Sequence, residues 1–119
     1  TEGILKAFRN APEAKWDNVL LVYYYGIAQQ QGGDLDDSIA TFERLQREHP
    51  VFFLGTYRLA QMYDQLKHDP QRALPAYRAV LAVSKAAAQA QYSAYIQIFD
   101  EMQRMSRQRI GELEARNGK

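Results

Sequence analysis

Only two of the 119 residues are histidine, His49 and His68, and imidazole is the side chain most readily turned to general-base or metal chemistry near neutral pH. Neither belongs to a His-x-x-x-His or Glu-x-x-His pattern. Both fall at predicted helix ends, where an imidazole beside the last carbonyls serves the helix rather than a ligand. The cluster Asp34-Leu35-Asp36-Asp37 has the acidity of a cation loop, but an EF-hand loop needs Gly at its sixth place and Glu at its twelfth. Ile39 and Leu45 stand there, so the acids read as helix capping. Gly32-Gly33 is followed by Asp34 instead of Lys-Ser/Thr, which removes a phosphate cradle. No Ser stands in a Gly-x-Ser-x-Gly turn, and the carboxylates of Asp100-Glu101 sit on a predicted exposed face. The absence of Cys excludes disulfides, thiolate zinc sites and cysteine nucleophiles together. No catalytic, cofactor-binding or metal-binding residue is assigned, and the chain reads as a non-enzyme.

Charge and hydropathy narrow the partners. Lys and Arg total 15 against 14 Asp and Glu, a net charge of +1, which gives no general attraction for a phosphate backbone. Nucleic acid is therefore not expected. The longest apolar run, Val19 to Ala28, has ten residues, about half the ~20 needed to cross a bilayer. Membrane insertion is not expected either. No basic stretch followed by an apolar one opens the sequence, so no export signal is visible. The sequence begins at Thr1 rather than Met and reads as a domain of a larger protein. Its composition has a bacterial style, and a cytoplasmic or a periplasmic address is left open.

The elements that position these residues are helical. Ala, Gln, Leu, Arg and Glu dominate, while Gly and Pro are sparse at 7 and 4, a helix-former's composition. Six helices are predicted. The first spans residues 2–9 and the second 13–31, stopped by Gly32-Gly33. The third begins at Asp34 as N-cap and ends at His49-Pro50. The fourth spans 52–66, and the fifth opens on Asp69-Pro70 and runs to Val83. The sixth, 87–116, is far longer than the others.

The chain also repeats itself. Tyr25-Gly26 recurs as Leu59-Ala60 and Gln29 as Tyr63, each at an offset of 34. Ser38 recurs as Ala73, Phe42 as Tyr77 and Leu45 as Val80, each at an offset of 35. Small residues return where small ones stood, and aromatic where aromatic.

A helical pair of this length, with a small residue in the first helix, a small-x-x-x-aromatic step in the second and Pro50 after it, resembles the tetratricopeptide repeat. Gly26, Ser38, Phe42 and Pro50 carry the resemblance in one unit; Leu59, Ala60, Tyr63, Ala73 and Tyr77 carry it in the next. Gln29 and Ser38 depart from the family's usual aromatic and Ala. The resemblance implies an all-α, right-handed superhelical stack of antiparallel helix pairs in a single domain. Residues 1–12 would be a partial preceding repeat or N-terminal helix, 19–52 the first repeat, 53–86 the second, and 87–116 a capping helix.

The same resemblance implies a protein–protein interaction scaffold that takes a protein or peptide on a concave face lined by the first helix of each pair. That face would carry Tyr23, Tyr24, Ile27 and Gln30 in one unit and Tyr57, Arg58, Gln61 and Gln65 in the next. Core packing competes for the tyrosines, because Tyr23, Tyr24 and Tyr25 span too wide an arc for all three to face a groove. With Arg58 as its one cation, the face does not match the carboxylate clamp of some family members. An alternative is self-association. An unbroken sixth helix would extend about 45 Å, against about 21 Å for a repeat helix, and its overhang would display Met102, Met105, Ile110 and Leu113 to a second copy. Alternatively the helix breaks near Ser106 or Gly111. The run Gln103 to Arg109 is locally basic and reads mainly as a solvated face.

Overall fold

The computed structural model describes residues 17–117, together with Gly3 and Leu5. Among the described residues every regular element is helical. The chain divides into two compact units, Thr1–His49 and Pro50–Lys119. The predicted helix over residues 2–9 and the start of the second over 13–16 lie largely outside the described residues.

In the first unit, α1 (Val19–Gln31) starts where Asn18 takes an extended backbone and its side chain accepts from Leu21 N–H at 3.2 Å. It ends at Gly32, whose N–H reaches the Ala28 carbonyl at 3.0 Å. The chain reverses through Gly33 at φ +88°, a conformation that glycine reaches without a Cβ clash. Helix α2 (Leu35–Glu48) follows, packed on α1. Asp34 stands at its N-cap but makes no side-chain capping bond. The favourable charge there comes from Asp36 and Asp37 in the first turn, beside the positive end of the helix dipole.

The pair closes on three contacts. Gly26 lies under the fully buried Phe42 ring, so near that an added Cβ would meet Phe42 Cζ at 2.7 Å. Ser38 Oγ donates to the Gly26 carbonyl at 2.6 Å. Thr41 Oγ1 donates to Gln29 Oε1 at 2.5 Å, with the Asp37 carbonyl 3.1 Å away. The two departures from the repeat pattern, Gln29 and Ser38, are thus the polar fastenings of this pair.

In the second unit, α3 (Phe53–Gln61) continues directly into a π-helical turn, Met62–Leu66. The turn into α4 (Pro70–Ala82) places His68 at φ +52°. Asp69 caps α4 by accepting from Arg72 N–H at 3.2 Å, with Pro70 in the first turn, where its missing N–H costs nothing. The small Ala60 and Ala73 are fully buried, as the repeat requires.

The predicted sixth helix is two helices. Helix α5 (Lys85–Tyr92), capped by Ser84, gives way to a 3-10 segment, Ser93–Ile98, and then to α6 (Phe99–Asn117). The break lies at 93–98, upstream of Ser106 and Gly111. Two edge-on aromatic contacts bracket it, Tyr92 on Phe52 and Phe99 on Phe53, both at 5.0 Å between ring centres. In an unbroken helix Tyr92 and Phe99 would stand about 10 Å apart along the axis, whereas Phe52 and Phe53 are adjacent residues. A 3-10 segment rises more per residue than an α-helix, so it is the departure from helical backbone at Tyr92 (φ −136°, ψ 46°) that redirects the chain between the two contacts. Helix α6 then packs on α4 and touches α3, with Ile110 and Leu113 buried and Gln103 Nε2 donating to the Val80 carbonyl at 2.7 Å.

Candidate interaction site

The π turn buries an acid. Asp64 is 7 % exposed, and an ionised carboxylate tolerates that only with charge and hydrogen-bond partners. Arg109 of α6 supplies a two-pronged pair, Nε to Oδ2 at 2.7 Å and Nη2 to Oδ1 at 2.9 Å. The Tyr77 hydroxyl of α4 donates to Oδ2 at 2.8 Å. Three elements are tied to one carboxylate. Hydrogen bonding from Arg109 holds the Asp64 carboxyl below the usual carboxylate range, against the opposing effect of burial. Burial, and then the neighbouring Asp64, push the Tyr77 hydroxyl well above its ordinary value. The remaining Nη1 of Arg109 donates to Glu112 at 3.0 Å.

Hollows open on either side of Arg109. The first, of about 210 Å³, is lined by Tyr57, Gln65, Tyr77, Met105, Gln108, Arg109 and Glu112. Part of its lining is aromatic and thioether: the Tyr57 and Tyr77 rings meet edge-on at 6.1 Å, and the Tyr57 hydroxyl donates to Met105 Sδ at 3.9 Å. The second, of about 280 Å³, is lined by Asp64, His68, Pro70, Arg109, Leu113 and Arg116. The first unit has a shallower hollow of about 400 Å³ over Gln29 and Thr41, edged by Arg44 and Arg47. Arg44 is engaged with Glu48 at 2.9 Å.

The residues proposed for a groove divide as follows. In the first unit Tyr24 is 52 % exposed, whereas Tyr23, Ile27 and Gln30 are half-buried. Tyr25 is half-buried too, so none of the three consecutive tyrosines is wholly core. Tyr23 packs edge-on against Phe42 at 5.9 Å and against Tyr24 at 5.8 Å. In the second unit Tyr57 is buried, Arg58 and Gln61 are half-buried and Gln65 is exposed. Tyr57 and Gln65 share the first hollow; Arg58 and Gln61 do not line it.

Of the residues proposed for self-association, Ile110 and Leu113 are core positions of the second unit, Met102 is half-buried, and Met105 alone is exposed. The overhang that would have displayed Ile110 and Leu113 does not arise, because the break at 93–98 lets α6 lie along α4. The run Gln103 to Arg109 is likewise not a uniform solvated face. Gln103 and Ser106 point inward and Arg109 is bound to Asp64. His49 is the C-cap of α2 and His68 is exposed in its turn, in keeping with helix-end roles.

Asp64 and Arg109 were not read from the sequence as a site. They lie 45 residues apart, and the one available signal is an acid at a place in the repeat, 34 residues beyond Gln30, where the first copy has an amide.

Among the described residues no group of His, Cys, Asp and Glu is placed to hold a metal ion, and no helix is long and apolar enough to cross a membrane. Residues 21–50 match the family model described as tetratricopeptide repeat. The first unit's helix pair is therefore a tetratricopeptide repeat. No curated protein and no solved structure matches the chain.

Proposed function

We propose that the chain is a non-enzymatic scaffold that binds a peptide or a peptide-like segment of a protein partner, and that the second unit makes its contact at the hollow over Tyr57. Tetratricopeptide repeats generally mediate protein–protein interaction. The single observation that carries the reading further is the composition of that hollow. Two tyrosines and a methionine line it together with Gln65, Gln108, Arg109 and Glu112, the mixture of aromatic, apolar and polar groups that suits an anchor side chain. At about 210 Å³ it is smaller than the roughly 300–1,000 Å³ clefts that enclose small molecules, and it suits one side chain. The first unit offers a separate surface on α1 centred on the exposed Tyr24. Self-association through α6 is the weaker reading, since burial removes Ile110 and Leu113 from it.

The test is selection from a displayed heptapeptide library on the full chain. Enriched peptides are expected to lose at least tenfold in affinity to a chain carrying Met105→Glu and Gln65→Arg, both at exposed positions, whose melting temperature is unchanged. Absence of any enriched peptide, or binding indifferent to these substitutions, would overturn the reading.

A further inference from the structure

We infer that the second unit reads an extended segment in which an apolar residue and an acidic residue stand two positions apart. The inference rests on the peptide-binding reading above and supplies the partner's chemistry. Its ground is the spacing of the two hollows. They adjoin, since Arg109 lines both. Along α6 the lining steps from Met105, Gln108, Arg109 and Glu112 to Arg109, Leu113 and Arg116, a mean advance of about four residues, or about 6 Å. The facing wall changes from Tyr57, Gln65 and Tyr77 to Asp64, His68 and Pro70. An extended chain moves about 6.6 Å in two residues and turns both side chains to the same face. Residues i and i+2 of such a segment therefore match both hollows without distortion.

The two hollows differ in chemistry. The first offers aromatic and thioether surface, and its one cation, Arg109, is already held by Asp64 and Glu112. The second is lined by two guanidinium groups and one carboxylate. That carboxylate, Asp64, is already taken up by Arg109 and Tyr77. Arg116 is exposed at the end of α6 and, among the described residues, is in no ion pair. An incoming carboxylate would gain Arg116, with the exposed His68 beside it, whereas an incoming Lys would face Arg116 with no uncommitted carboxylate to pair with.

The displayed heptapeptide library tests this when selected in parallel on the full wild-type chain and on Arg116→Glu. On the wild type, enriched peptides should show an apolar residue and an Asp or Glu two positions apart in excess over every other spacing. On Arg116→Glu, with melting temperature checked, the acid should be replaced by Lys or Arg at the same spacing. Enriched peptides with no such spacing, or an acidic preference that survives Arg116→Glu, would overturn the inference and leave peptide binding itself standing. No enrichment on either chain would overturn both. A dimer seen in sedimentation and dissolved by Met105→Glu, with no peptide enriched, would assign the hollows to a second copy and overturn it as well.

Discussion

The two helix pairs occupy corresponding stretches of one internal repeat, yet they are fastened differently. In the first, Ser38 and Thr41 of α2 bond to Gly26 and Gln29 of α1, and Phe42 lies on the bare backbone of Gly26. In the second, the corresponding residues are Ala73, Ala76, Ala60 and Tyr63, and the two alanines that stand in place of Ser38 and Thr41 have no hydroxyl to donate across the pair. Polarity has moved elsewhere: Gln30 is replaced by Asp64 and Phe42 by Tyr77, and these two bond to each other. The paired change is physically coupled, since a buried hydroxyl needs an acceptor and a buried carboxylate needs donors. The first pair satisfies Ser38, Thr41 and Gln29 within itself. The second satisfies Asp64 only with α6 in place.

The strongest way to break this difference is Asp64→Asn. It leaves Arg109 facing an amide, and because Arg109 is partly exposed and retains Glu112, the loss should sit near the lower end for a broken buried pair, about 3 kcal/mol by urea denaturation. Asp64 has a folded-state pKa below its ordinary value, so its contribution is complete above the usual carboxylate range and is lost as pH falls through that lower pKa. The Asn variant should accordingly show a flatter decline of stability below about pH 4 than the wild type.

Gly26→Ala tests the first pair. The added Cβ would enter the Phe42 ring, and a loss of about 2 kcal/mol is expected, partly restored when Phe42→Leu is combined with it. Tyr77→Phe makes the second pair resemble the first at one atom and should cost about 1 kcal/mol, with Arg109 still on Asp64. The smallest effect concerns the turns. Gly33 and His68 stand 35 residues apart in equivalent positions, both at positive φ. His68→Gly relieves a left-handed conformation costing about 1–2 kcal/mol but frees the unfolded chain, for a net gain of about 0.5 kcal/mol, readable as a small rise in melting temperature.

What could be read from the sequence follows the same division. The repeat was legible because Gly26, Ser38, Phe42 and their counterparts act between neighbouring helices, and such contacts leave a fixed spacing in the chain. The fourth and fifth helices were legible from Asp69-Pro70, whose capping is a local matter. The break at 93–98 was not, because no Gly or Pro lies between Ser84 and Ser106. Tyr92 and Phe99 are drawn to Phe52 and Phe53 by contacts far away in sequence, and these override an Ala- and Gln-rich local preference. The hollows were half legible: Tyr57 and Gln65 were named from their place on the first helix of a pair. Met105 was assigned to a different surface, and Arg109 to a solvated run, because only the docking of α6 brings either one to Tyr57 and Asp64.

The distance in sequence between Asp64 and Arg109 also sets an order of events. Cross-helix hydrogen bonds of the first unit span 12 residues and can form as soon as α2 has been made. The carboxylate of Asp64 waits a further 45 residues for its guanidinium, roughly 2–9 s at ordinary rates of synthesis. During that interval the π turn holds an anion whose partner does not yet exist, so Asp64 must remain hydrated and α3 and α4 incompletely closed. The second unit is thus completed from its C-terminal end, and a ribosome stalled before residue 109 would carry one finished helix pair and one open one.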